Sequence, residues 1–263
     1  MTEINIDICE YELYNDEKQR LLKDLELVVT STHSAMKKTF LENLFKDIDV
    51  AGLNAEDHIT FNNALLELAY SKGTMEGNIF YNHGTLTLNP NLHTKQANMF
   101  WCGKQAKTRI CEIGFNAGHS TMLMLLGREK TPLEFTLFDI GHYGYTEPCL
   151  NYLSTAFPHV HFTYVKGDST ITMSKWIAEN SSLIGQYDVI HVDGGHSEHC
   201  IINDMKNADV LIKLNGIVIV DDTDGDIINS VVEKYIATGN YKELFLLKTY
   251  DNQHRILQKI RLS

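Results

Sequence analysis

Residues 109–121, RICEIGFNAGHST, decide how the chain is read. Ile110, Cys111 and Ile113 make a short apolar run with the character of a buried strand, Gly114 to Gly118 is a glycine-bearing turn, and Ser120 and Thr121 open a helix. A strand that passes through such a turn into a helix builds a ligand pocket. The glycines let the main chain approach the ligand, and the helix start offers unpaired N–H groups. The spacing is G-x-x-x-G and not the G-x-G-x-x-G of a dinucleotide site.

Downstream of this stretch the pattern alternates strand and helix. Strands are expected at 134–140, 161–166, 187–193, 216–221, 241–248 and 255–259, with helices at 120–126, 147–157, 171–180, 198–212 and 226–238. This predicts a Rossmann-like, doubly wound α/β sheet of seven strands. The last two strands are joined by so short a link, 249–254, that they must pair antiparallel, so the sheet is expected to be parallel except for an edge hairpin.

Upstream, the alternation disappears. Residues 16–30, 35–48 and 54–71 carry apolar positions three and four apart, among them Met36, Phe40, Leu41, Leu44, Phe45 and Ile48, and read as helices whose stripes are packing faces. Residues 73–91, rich in Gly and Asn, read as a loop, hinge or lid. Residues 93–104 return to helix, with Met99, Phe100 and Trp101 seating it on the sheet. The expected organisation is a helical region over 1–92 and a core over 93–263.

Composition narrows the class. With 263 residues, 43% of them hydrophobic, the chain can bury a full core. A net charge of −11 argues against a nucleic-acid partner, which needs a basic surface. No apolar run approaches the length of a membrane span, and the acidic start MTEINIDICEYE does not resemble a signal peptide. The five cysteines are scattered without a C-x-x-C pair, so a reducing, cytoplasmic setting is expected.

In an open α/β sheet, ligands bind beyond the carboxyl ends of the strands. Each of the first five ends carries an acid: Glu112, Asp139, Asp168, Asp193, and the pair Asp221 and Asp222. Asp139 lies about where a ribose-binding acid falls, and Asp168 with Ser169 could read an adenine edge. With no phosphate-binding lysine motif, a nucleoside without pyrophosphate is the better ligand, and S-adenosylmethionine fits that description. Asp193, Asp221 and Asp222 are hard oxygen ligands that suit Mg²⁺ or a similar divalent cation. His191, His196 and His199 crowd the same rim and could suggest zinc, but His191 shares a face with Asp193 only if the strand runs regularly to its end. His196 either takes a proton from a substrate hydroxyl, the favoured role, or caps the next helix or contacts the cofactor.

The segments EIGFNAGHST, FDIG, KGDS, DVIHVDGGHSEH and GIVIVDDT, in this order, resemble class I S-adenosylmethionine-dependent methyltransferases. Within them the chain is most similar to the branch of macrocin-type, macrolide-sugar O-methyltransferases, related to the catechol O-methyltransferases. The resemblance runs from about 95 to 224. It implies cofactor contacts from Glu112, Gly114, Asn116, Gly118 and Ser120, from Asp139 at the ribose, and from Asp168 and Ser169 near the adenine. It implies metal ligation by Asp193, Asp221 and Asp222, and His196 as general base. The catechol enzymes usually have an asparagine as third ligand and a lysine as base; the histidine agrees with the sugar-modifying branch.

The resulting expectation is a divalent-metal-assisted O-methyltransferase acting on a small hydroxylated acceptor, a sugar or a phenolic, in a homo-oligomer whose N-terminal region shapes the substrate mouth. The alternatives are a related metal-binding enzyme with different chemistry and a noncatalytic S-adenosylmethionine-binding protein.

Overall fold

The computed structural model describes residues 64, 65, 67–69, 71, 72, 75, 92–128, 130–246 and 253–262. The helices expected at 16–30 and 35–48, and nearly all of the loop at 73–91, lie outside them, whereas positions 64, 65 and 67–69 of the helix expected at 54–71 are helical. No described helix is long and apolar enough to cross a membrane.

The core alternates as its sequence pattern requires. Helix α1 (His93–Gln105) precedes β1 (Arg109–Ile113), α2 (His119–Leu126), β2 (Leu133–Asp139), α3 (Thr146–Ala156) and β3 (Val160–Lys166). Then follow α4 (Ser169–Glu179), β4 (Tyr187–Val192), α5 (Glu198–Leu211), β5 (Ile212–Asp221), α6 (Asp226–Ala237), β6 (Tyr241–Glu243) and β7 (His254–Lys259). The seven strands form one sheet in the order β3-β2-β1-β4-β5-β7-β6. The β1–β2, β1–β4, β2–β3 and β4–β5 pairs are parallel, and β7 runs antiparallel to both β5 and β6.

The expected hairpin is therefore present, with its second strand on the inside. Strand β7 buries Ile256 on one face of the sheet and Leu257 on the other, so it needs cover on both sides, whereas β6 is three residues long and its YKE sequence suits an edge. The alternation of side chains sorts every other strand in the same way. Ile110, Phe135, Leu137, Val189, Ile217 and Ile219 pack on one face with Met99 and Cys102 of α1 and with α2 and α3. Cys111, Ile113, Phe138, Ile190, Val192, Val218 and Val220 pack on the other, with residues of α4, α5 and α6 such as Met173, Met205 and Val232.

Two close approaches fix the frame. A Cβ on Gly103 would lie 2.0 Å from the Met124 carbonyl oxygen, so α1 and α2 meet main chain to main chain. Met99 and Phe100 are buried against that contact, as expected of residues that seat a helix. At the amino ends of β1 and β4, the buried Asp188 carboxylate accepts from the backbone N–H groups of Lys107 (2.9 Å), Thr108 (2.5 Å) and Arg109 (2.9 Å), and pairs with the Lys213 ammonium. The β4–β5 register shifts between Tyr187 and Val189, on either side of this residue, and β5 starts at Ile212, where helix was expected.

Burial works against ionisation of Asp188, but the Lys213 ammonium and the donated N–H groups hold its carboxyl below the ordinary range. Because the folded value is the lower one, this stabilisation is complete above the unfolded pKa and is lost as pH falls through the folded pKa. Asp188→Asn is expected to lower the unfolding free energy by roughly 2–4 kcal/mol at neutral pH. Urea unfolding at pH 7 and pH 3 checks this, since the deficit should shrink at the lower pH.

Candidate active site

The turn after β1 is shaped by a collision that only glycine avoids. Gly114 has φ +91°, and a Cβ there would sit 1.8 Å from the Asp193 carbonyl oxygen. Its N–H donates to Phe138 O at the end of β2 (2.8 Å), and the Asp193 N–H donates to Ile113 O (2.8 Å), so the ends of three strands are tied together. Asn116, at φ 54°, donates its backbone N–H to Asp139 Oδ2 (2.8 Å), and its side-chain oxygen accepts from the Tyr145 hydroxyl (2.6 Å). The other Asp139 oxygen accepts from Gly141 N–H (2.6 Å).

These ends enclose a cavity of about 580 Å³. Of the residues expected at the site, Gly114, Asn116, Gly118, Ser120, Asp139, Asp168, Ser169, Asp193, His196, Asp221 and Asp222 all line it. Glu112 does not. Its fully buried carboxylate accepts from Ser120 Oγ (2.5 Å), from the Thr121 hydroxyl and from His191 Nδ1 (2.8 Å). It thereby joins β1, β4 and the start of α2, because Glu112 and His191 are register partners on one face of the sheet. Asp168 lines the cavity and also caps α4, accepting from Thr170 N–H (2.9 Å) and Thr170 Oγ1 (2.7 Å). Those bonds hold its carboxyl below the usual value.

On that same face, beyond His191, lies the acidic rim. Ligand atoms of His191, Asp193 and Asp221 lie within 4.8 Å of one another, and so do those of Asp193, His196 and Asp222. From Val189 to Val192 strand β4 keeps its register with β1, and the Asp193 N–H extends that pairing to Ile113 O, which brings the side chains of His191 and Asp193 together. His196 Nε2 is 2.8 Å from Asp222 Oδ2 at the mouth, with 68% of the imidazole side chain exposed. That hydrogen bond is the main cause raising the His196 pKa. The cap of α5 is Ser197, whose hydroxyl accepts from Cys200 N–H (3.2 Å), so His196 is not the capping residue. His199 stands outside both groups, on the exposed first turn of α5.

The side chain that sequence reasoning missed is Lys95. Its ammonium, on the first turn of α1, lines the cavity and pairs with Asp221 Oδ2 at 2.6 Å, both groups being buried. The lysine belongs to no motif and stands 126 positions from its partner, so only the packing of α1 could reveal it. Burial opposes the Lys95 charge, but Asp221, Asp193 and Asp222 together raise its pKa. Asp221 is desolvated too, yet Lys95 holds its carboxyl low. Asp193 is pushed well above the carboxylate range by burial and by the neighbouring Asp221 and Asp222 charges.

Comparison with known proteins agrees with this geometry. The sequence model of a family described as a methyltransferase domain matches residues 111–223. No curated protein matches the chain. Among solved structures, a Staphylococcus aureus protein assigned as a caffeoyl-CoA O-methyltransferase is 16% identical, with a TM-score of 0.51 over 84% of this chain and 98% of that one. An O-methyltransferase from Bacillus cereus, in complex with SAH, is 15% identical, with a TM-score of 0.52 over 77% of this chain and 91% of that one. At such identities the structural likeness establishes the shared fold.

Removing the Lys95 charge leaves Asp193 and Asp221 facing each other without compensation. Lys95→Gln is expected to lower stability by roughly 2–4 kcal/mol at pH 8 in metal-free buffer. The loss should lessen at pH 5.5, where Asp193 takes up a proton more readily; denaturant unfolding at the two pH values measures it.

Proposed function

We propose, from the match of residues 111–223 to a family model described as a methyltransferase domain, that the chain transfers a methyl group from S-adenosylmethionine to a hydroxyl of a small sugar or phenolic acceptor. A divalent cation assists, and His196 is the general base. The observation that carries this reading is that one cavity holds two kinds of chemistry side by side: the Gly114–Gly118 turn with Asp139, and the group Asp193, Asp221, Asp222 and His196.

The residues present fit both groups. Two backbone N–H groups hold the Asp139 carboxylate, which presents its remaining lone pairs to the cavity as a ribose diol requires. Gly114 and Gly118 keep the main chain bare beside it. At the rim, Asp221 Oδ1 is buried without a hydrogen-bond partner among the described residues, as a carboxylate awaiting a cation would be. The SAH found with the Bacillus cereus neighbour is consistent with the same cofactor here.

When bound, the cofactor supplies an electrophilic methyl group and the divalent cation supplies polarisation of the acceptor oxygen. The chain's own residues do the rest. Asp193, Asp221 and Asp222 would hold the cation. Asp222 orients the His196 ring through Nε2; with Nε2–H donating, the lone pair is on Nδ1, and that atom takes the proton from the acceptor hydroxyl. The turn and the rim hold donor and acceptor at a fixed separation, which lowers the barrier by orientation. Residues 1–92 are assigned to the substrate mouth and to a homo-oligomer interface, and residues 93–263 to the catalytic core.

His196→Ala is expected to reduce turnover by about 100-fold or more while SAH affinity by calorimetry stays nearly unchanged. Unchanged turnover would remove His196 as the base. Exhaustive chelation is expected to abolish methyl transfer, and a divalent salt to restore it. Activity that survives complete metal removal would assign the neutralising role at the rim to Lys95 alone.

A further inference from the structure

We infer that His191 is itself a ligand of the divalent cation, and that the site selects an ion that accepts a nitrogen ligand, such as Mn²⁺, Fe²⁺, Co²⁺ or Zn²⁺, over Mg²⁺. This rests on the metal-assisted reading above and goes beyond it, because that reading needs only the three aspartates. Glu112 sets the orientation of the His191 ring. Its carboxylate oxygens accept from the Ser120 and Thr121 hydroxyls, and as a carboxylate oxygen offers only lone pairs, the third bond is made by Nδ1–H of His191. The lone pair of the imidazole is therefore on Nε2.

That nitrogen is buried in a residue with no solvent exposure and has no hydrogen-bond partner among the described residues. The same is true of Asp221 Oδ1. Ligand atoms of His191, Asp193 and Asp221 lie within 4.8 Å of one another. A lone pair of either kind left unsatisfied in the interior is destabilising. A cation placed among them would satisfy both at once.

Lys95 does not already fill the place, because its ammonium is engaged with Oδ2 of Asp221, leaving Oδ1 for the ion. A histidine fixed through one nitrogen by a buried carboxylate, with the other nitrogen open beside carboxylates, is the arrangement that orients metal-binding imidazoles. Nitrogen ligation favours these ions over Mg²⁺, which prefers an all-oxygen shell.

The test uses the full chain with Mn²⁺ as the only probe, read by electron spin-echo envelope modulation. A ¹⁴N modulation from a coordinated imidazole is expected in the wild type, in His196→Gln and in His254→Gln, and is expected to vanish in His191→Gln. Calorimetry should show Mn²⁺ bound at least tenfold more tightly than Mg²⁺. Mn²⁺ that binds without ¹⁴N modulation in the wild type, or modulation that persists in His191→Gln, overturns the inference and leaves the three-aspartate reading standing. If His191→Gln does not fold, the wild-type spectrum and the Mn²⁺ preference together still decide: modulation with the preference supports ligation, and absence of either overturns it. Failure of both Mn²⁺ and Mg²⁺ to bind at millimolar concentration overturns the metal-assisted reading as well.

Discussion

The contact on which the site depends is the one between Gly114 and the main chain of Asp193. No side chain fits at position 114 because the Asp193 carbonyl occupies the space where it would be. This near-touch sits where the strand order turns from β1 toward β2 on one side and β4 on the other, the point at which an open sheet splits and admits a ligand. Because the two strand ends are pinned together there, the turn that carries Asn116 and the rim that carries the acids cannot drift apart. A larger residue at 114 would open that seam, separating the two halves of one cavity.

The second constraint is a change of character along a single sheet face. Ile110, Val189, Ile217 and Ile219 are apolar, and the positions that continue them toward the carboxyl ends are Glu112, His191, Asp193 and Asp221. The apolar layer thus gives way, within one or two residues per strand, to a polar layer in which Glu112, His191 and Asp221 are buried and Asp193 half-buried. Such groups are tolerated in the interior only when paired. Glu112 and His191 pair across neighbouring strands, and Lys95 reaches down from α1 to meet Asp221. His191 Nε2 and Asp221 Oδ1 are left without a hydrogen-bond partner among the described residues.

Much of this was legible in the sequence because it is local. A strand, a glycine turn and a helix start within thirteen residues announce a pocket, and acids at successive strand ends line one rim whatever their exact register. The parallel sheet followed from strand and helix alternation, and the antiparallel pairing of β6 and β7 from the short link between them. What escaped depends on register and packing. Glu112 reads as a cofactor contact until its pairing with His191 turns it inward. The inner position of β7 depends on Ile256 and Leu257 both needing cover, which alternation alone does not rank against β6. Lys95 carries no motif, and its role exists only because α1 lies against α2 at Gly103 and Met124.

The central claim is that cofactor and cation share one cavity, on either side of the Gly114 seam. A crystal structure of the chain grown with S-adenosylhomocysteine and Mn²⁺ tests it most directly. The account predicts the ribose diol on Asp139 and an anomalous manganese peak among Asp193, Asp221 and Asp222. A nucleoside bound away from Asp139, or a rim closed by Lys95 with no manganese peak at full cofactor occupancy, would contradict it.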